Sequence, residues 1–430
     1  MNNVTPREQT AILKSLAAGL VPQIGLHHLV VGRKAELQAL AGDVEAVGQG
    51  GSSFRVVIGP NGVGKTFLAT LIRDVAIENR LVVLSADLSV NHRLHATDGR
   101  GRSLLASLMT NVCTKASPTG NGLRPLLESW ITGLGFDIGE QNATPDAMSQ
   151  RIYSALRSLA DHPGGFEFAQ VIARYYDGFF SDNPPLQDSA LRWLRAEYST
   201  KTEARRDLGV RRIIGDEDLY ASLKLFSAFC RLAGYKGVLV MLDELSALTH
   251  RLPHARARQA NVQVLLTIIN DCLQGGASGL GFLLAGTPDA LGDPERGLFS
   301  VPALRSRLQV CAPSGCVDYA SPVLQLQPLG KEELLVLLHN VRRVHALGEE
   351  SKYRLPNEAI EHFLARALSR FGRTVLANPR DVLRPLVSIL NILEQDPNRN
   401  WPDLIDGVIA EATRPSDAVE AELAGLKLTK

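Results

Sequence analysis

No apolar run in this sequence approaches the roughly 18 residues that a bilayer-spanning helix needs, so a membrane-spanning helix is excluded. The opening residues, Met1-Asn2-Asn3-Val4-Thr5-Pro6-Arg7-Glu8, lack the basic-then-apolar order of a secretory leader, and a cytoplasmic protein is expected. Charge of one sign is scarce too. A formal net charge of +1 excludes a chain that is basic throughout, so any nucleic-acid contact must come from local patches. Cysteine is sparse and odd in number: Cys113, Cys230, Cys272, Cys311 and Cys316. Cys311 and Cys316 have no nearby Cys or His to complete a zinc site, so buried free thiols in a reducing compartment are expected. There is no repeat of fixed period and no long low-complexity tract. What remains is an ordinary globular composition, 45% apolar and 21% charged, in 430 residues, enough for two or three cores.

One contiguous motif stands out. Gly59-Pro60-Asn61-Gly62-Val63-Gly64-Lys65-Thr66 follows the strand-like run Phe54-Arg55-Val56-Val57-Ile58 and opens a helix through Phe67, Leu68 and Leu71. A strand, a glycine-rich turn and a helix that starts with Lys-Thr form a P-loop. Successive backbone N–H groups and the positive end of the helix dipole cradle phosphate oxygens. Glycine permits positive φ and close approach of the backbone. Lys65 is expected to reach the β- and γ-phosphates of ATP, and the Thr66 hydroxyl to ligate Mg²⁺.

The rest of the chain supports an α/β reading. A helix is expected from Pro6 to Ala18, then turn residues Gly19 and Pro22, then Leu29-Val30-Val31-Gly32-Arg33. Leu81-Val82-Val83-Leu84-Ser85 reads as a buried parallel strand. From about Ser89 to Gly234 only amphipathic helices are expected. One of them starts at Thr144-Pro145-Asp146, and another carries the stripe Phe168, Val171, Ile172, Tyr175 and Phe179 as core. Strands return at residues 237–242 and 279–285, with a last one at Val323-Leu324-Gln325-Leu326, and helices follow. The expected parts are an ATPase core begun in 1–88, a helical insertion in 89–234, the rest of the core in 235–327, and a helical lid and tail in 328–430.

The strand Val238–Leu242 ends in Asp243-Glu244, an acidic pair at the carboxyl end of a buried parallel strand. Asp243 is placed to contact Mg²⁺, through water, and Glu244 to orient or deprotonate the attacking water. The next strand ends in Gly286-Thr287-Pro288, where Thr287 either senses the γ-phosphate or caps the following turn. Arg305 and Arg307 follow; one of them projected into a neighbouring subunit would offset phosphoryl charge. Asn378-Pro379-Arg380-Asp381 reads as a capped helix start, with Arg380 facing either a γ-phosphate or solvent.

Together these positions resemble an AAA+ ATPase, an α/β P-loop NTPase with a parallel sheet, here with a large all-helical insertion and a C-terminal helical lid. The closest branch is the one with a Val-Gly-Arg entry element, as in origin-recognition and signalling ATPases. The resemblance makes Val30 and Val31 base contacts and Asp243-Glu244 the Walker B pair. It makes Thr287 sensor 1, Arg307 the arginine finger and Arg380 sensor 2. Gly25-Leu26, the run Gly209-Val210-Arg211-Arg212-Ile213-Ile214-Gly215-Asp216-Glu217-Asp218, and Leu232-Ala233-Gly234-Tyr235-Lys236-Gly237 narrow the likeness further. With Ala285-Gly286-Thr287-Pro288 they resemble the BREX-system ATP-binding proteins (BrxD-like), a domain type also found in Shango-type anti-phage operons beside a helicase and a TerB-like protein. The likeness spans Arg7 to Leu393. It implies ATP and Mg²⁺ as cofactors, a helicase and other defence-operon proteins as partners, and homo- or hetero-oligomers.

Arg205, Arg206, Arg211 and Arg212, and again Arg251, His254, Arg256 and Arg258, are local basic clusters that either contact DNA or form a salt-bridged face. No helicase or nuclease motif accompanies them. The expected protein is therefore an energy-using controller; a DNA-bound regulator of replication or transposition and a low-turnover nucleotide switch are the alternatives.

Overall fold

A computed structural model describes residues 3–138, 145–310, 316–372 and 378–411. Five strands form one sheet: β1 (Ser52–Ile58), β2 (Leu81–Asp87), β3 (Gly237–Asp243), β4 (Leu280–Gly286) and β5 (Val323–Gln325). The strand order is β2-β3-β4-β1-β5, and the pairs β2–β3, β3–β4 and β4–β1 are parallel. Val82, Leu84, Val238, Val240, Leu280 and Leu284 are buried, as uninterrupted apolar runs must be in a parallel sheet covered on both faces. This is the α/β architecture that the AAA+ resemblance implies. Parallel pairing brings the carboxyl ends of β1, β2, β3 and β4 to one edge. There Asp87 stands opposite Asp243, and Ile58, the residue before the glycine-rich loop, stands opposite Gly286.

The chain divides into two compact units. The first comprises Met1–Ala35, Gly59–Leu71 and Gln325–Lys430; the second comprises Glu36–Ile58 and Ile72–Leu324. In the first, the helix Pro6–Ala17 opens on a capping box. The Thr5 hydroxyl accepts the Glu8 N–H at 3.3 Å, and the Glu8 carboxylate accepts the Thr5 N–H at 2.9 Å. Ile12 and Leu16 of that helix share a buried cluster with Leu338, Phe363 and Leu386. These come from the expected C-terminal helices, which run Lys331–His345, Asn357–Phe371 and Arg380–Gln395.

In the second unit the insertion is helical, and no strand interrupts it among the described residues. Its Trp130, Phe168, Phe226 and Phe229 belong to the same apolar cluster as Val82, Val240 and Phe282 of the sheet. The acidic run after Gly215 has a structural task. Asp216 is buried and accepts the N–H groups of Gly99 and Arg102, both at 2.8 Å, which satisfies orphan donors at the start of the helix Arg100–Thr110. A Cβ on Gly101 would lie 3.0 Å from the Asp216 carbonyl oxygen, so the close approach depends on glycine.

Some expectations need correcting. In the helix Gly165–Phe180, residues Phe168, Val171, Ile172 and Tyr175 are buried, but Phe179 is 49% exposed because the helix outruns the core by its last turn. Cys113, Cys230 and Cys272 are buried free thiols, whereas Cys316 is exposed. Cys311 and Thr144 lie outside the described residues; the helix after Thr144 does begin at Pro145. Arg55, inside a strand read as apolar, is only 7% exposed and carries its own counter-charge. Its Nε and Nη2 donate to the Asp43 carboxylate at 2.7 Å each, and Nη1 donates to the Tyr319 and Ser321 carbonyls.

Candidate functional site

The first unit holds the glycine-rich loop, residues 59–66, expected to cradle phosphate. Gly62 and Gly64 have φ of 85° and 100°, a region that only glycine enters without strain. Gly59 is required for a different reason: a Cβ there would sit 2.7 Å from the Val63 side chain. The helix Lys65–Glu78 begins at the lysine, so the positive end of its dipole faces the loop. Lys65 Nζ donates to the carbonyls of Gly59 (2.8 Å) and Pro60 (3.1 Å), which keeps the ammonium against the loop. Thr66 is exposed at the helix start.

Beside the loop lies an apolar pocket. Val31, Gly62, Val63, Gly64, Phe67 and Arg380 all line it, which brings together residues far apart in sequence within one unit. Val30 is half-buried and is not among the lining residues. Leu16, Leu29, Leu337 and Leu383 line it too; as ordinary core leucines of four separate elements, they carry no sequence signal of a pocket. Arg33 also carries more than the sequence suggested. It is buried, and its Nη2 donates to the carbonyls of Val63 (3.2 Å) and Gln327 (2.6 Å), anchoring the phosphate loop to the entry element.

At the helix start after Asn378, the expected cap is absent. Pro379 takes the cap position, without a side-chain cap bond, and Asn378 Nδ2 donates instead to Asp381 Oδ1 at 2.9 Å. Arg380 is exposed in the first turn, on the pocket wall.

The second unit holds the carboxylates. Glu244 has φ of 61°, rare for a residue with a Cβ, and its N–H donates to Asp243 Oδ1 at 2.8 Å. This kink turns the chain out of β3 into a π-helical turn, Ala247–Arg251, and Arg251 Nη2 donates to Glu244 Oε2 at 2.9 Å. π-turns are uncommon and often mark functional positions. Asp87 was not singled out from sequence, although it ends β2 as Asp243 ends β3. The residue is exposed, but partial desolvation of its carboxyl at the strand end, followed by the neighbouring Asp243 charge, pushes that group above the ordinary range.

Thr287 precedes the short helix Pro288–Gly292, and its side chain makes no cap hydrogen bond there. Arg305 is exposed, with Nε donating to the Phe299 carbonyl at 2.8 Å. Arg307 is half-buried and donates to Asn270 Oδ1 and to the Ala303 carbonyl. In the basic clusters, Arg206 pairs with Asp207 (2.8 Å), Arg212 with Asp218 (2.7 Å) and Arg251 with Glu244.

No helix among the described residues is long and apolar enough to cross a membrane. A family model described as BREX system ATP-binding protein BrxC/D matches residues 4–408. No curated protein matches the chain. Among solved structures, the Aeropyrum pernix ORC1 protein in complex with DNA is similar at 15% identity and a TM-score of 0.42, over 93% of this chain and 69% of that one. A likeness that loose bears on neither activity nor DNA.

Proposed function

Because this chain belongs to the BREX system ATP-binding protein BrxC/D family, we propose that it binds and hydrolyses Mg²⁺·ATP and that its nucleotide state controls partner proteins in bacterial defence against phage. The observation that carries this reading is the first unit's pairing of a glycine-built phosphate loop with an apolar pocket of the kind that takes a base. Lys65 would bind the β- and γ-phosphates, and Val31 and Phe67 the base. The whole of Gly59-Pro60-Asn61-Gly62-Val63-Gly64 would offer its backbone amides. Thr66 and Asp243 would hold Mg²⁺, Glu244 would prepare water, and Thr287 and Arg380 would read the γ-phosphate. Glu244 would first have to exchange Arg251 for water. The finger would come from Arg307, with the exposed Arg305 as its rival, in a homo- or hetero-oligomer.

The ion pairs of Arg206 and Arg212 favour a bridged, solvated face over a DNA-binding stripe. A controller of this kind works by binding its partners differently in its two nucleotide states. The partners proposed are a helicase and other proteins of the same operon, in the cytoplasm.

Glu244→Gln tests hydrolysis, because it preserves shape while removing the carboxylate. It should keep ATP affinity by calorimetry and lose on the order of a hundredfold in turnover. An operon carrying it should no longer lower phage plaquing. Wild-type turnover would overturn the role of Glu244, and full protection by the variant operon would show that hydrolysis is dispensable.

A further inference from the structure

Away from the phosphate loop, three donor side chains of the first unit converge. Glu8 stands in the first turn of the helix Pro6–Ala17, and His27 and His28 stand in the 3₁₀ turn Leu26–Leu29. Gly25, at φ 73°, lets that turn lie against the helix: a Cβ there would come 2.8 Å from Ile12 and 3.2 Å from Glu8. The ligand atoms of Glu8, His27 and His28 all lie within 4.8 Å of one another. His28 Nε2 is 3.7 Å from Glu8 Oε2, and the two imidazole centroids are 4.0 Å apart.

The His28 side chain is only 6% exposed, yet its Nε2 has no hydrogen-bond partner. A buried imidazole nitrogen facing a carboxylate beyond hydrogen-bonding reach is costly unless something fills the gap. We propose that Glu8, His27 and His28 bind a divalent transition-metal ion of the zinc class, with water completing the coordination. Zinc bonds of about 2.0–2.2 Å to nitrogen and oxygen imply ligand-to-ligand edges of roughly 3.4 Å in a tetrahedron. The Glu8–His28 separation is close to that already. The remaining adjustment falls on His27, which is exposed and can rotate. Thr5 donates its N–H (2.9 Å) and hydroxyl (2.7 Å) to Glu8 Oε2, which fixes the carboxylate as outer hydrogen bonds fix metal ligands generally. The Arg343 guanidinium is near enough to act on His28 electrostatically, and it opposes a second cation, so the Glu8 charge is indispensable.

An ion here would clip the turn to the first helix. The chain then runs directly into Leu29 and Val31, which line the apolar pocket. The geometry stands independently of the ATP reading.

The test uses the full chain with Cys311→Ser and Cys316→Ser, stripped by chelation and free of nucleotide and Mg²⁺. Zn²⁺ is titrated by calorimetry, and Co²⁺ by the visible absorption of a tetrahedral site. One equivalent should bind, with the Co²⁺ band present, and Zn²⁺ should raise the melting temperature. His27→Ala removes an exposed ring and should melt like the parent without metal, while losing at least tenfold in Zn²⁺ affinity together with the Co²⁺ band. His28→Asn should do the same. Failure of the parent to bind Zn²⁺, or unchanged binding in His27→Ala, overturns the site. So does a His28→Asn variant that loses metal-free stability but keeps Zn²⁺ affinity, since Glu8 and His28 would then be an ion pair only.

Discussion

The glycine-rich loop and the acidic strand ends differ in what they are made of. The loop in the first unit acts through backbone: Gly62 and Gly64 hold the turn open, and the lysine beside them is steadied by carbonyls of the loop itself. The strand ends in the second unit act through side chains, and each is already engaged. Asp243 accepts the Glu244 N–H, Glu244 accepts from Arg251, and Asp87 crowds Asp243 from the next strand. A backbone cradle is a standing feature of the fold. A carboxylate in an ion pair must be released before it can take another partner.

The contrast breaks most directly at Lys65. Lys65→Ala should weaken ATP binding about a thousandfold, or about 4 kcal/mol, because it removes the side-chain cation from the loop. Calorimetry in Mg²⁺ buffer measures it, and wild-type affinity would show that the backbone cradle needs no lysine.

Next in size is a purely structural use of charge in the second unit. Asp43→Ala would leave Arg55 buried without its carboxylate and should cost about 3–5 kcal/mol in urea denaturation. The double change Asp43→Leu with Arg55→Met should recover most of that loss, since no charge is then stranded. Equal stability of Asp43→Ala and wild type would mean that the carbonyls of Tyr319 and Ser321 suffice.

The smallest effect belongs to the exposed Asp87, whose carboxyl is raised by partial desolvation and by Asp243. An acid with a raised pKa in the folded state opposes folding once ionised, so the penalty is absent below the ordinary carboxylate range and fully present above the raised pKa. Asp87→Asn should therefore raise the melting temperature at pH 7 on the order of a degree or two. The gain should shrink as pH falls toward the ordinary carboxylate range. A gain independent of pH would assign the effect to packing instead.

These cases differ in how well they could be read from sequence. The loop is eight consecutive residues whose chemistry is local, and it was legible in full. The strands were legible because a parallel sheet buries both faces and leaves continuous apolar runs. Arg55 is not legible in this way, because a charge in such a run looks like an exception until Asp43 stands beside it. Asp87 carries no such signal, because one carboxylate at a strand end is ordinary, and only the β2–β3 register makes it half of a pair. His27 and His28 drew no notice because Glu8 belongs to a different element.

Sequence alone determined the glycine-rich turn between strand and helix, the parallel α/β plan, the helical insertion and the C-terminal helices, because turn chemistry and apolar periodicity are properties of neighbours along the chain. Only the tertiary structure decided which leucines wall the pocket, that Arg33 holds the phosphate loop, that Arg251 holds Glu244, and that Asp216 caps a helix more than a hundred residues before it. Each of these joins segments remote in sequence. Burial, hydrogen-bond satisfaction and ion pairing depend on distance in space, and that distance exists only once the chain has folded.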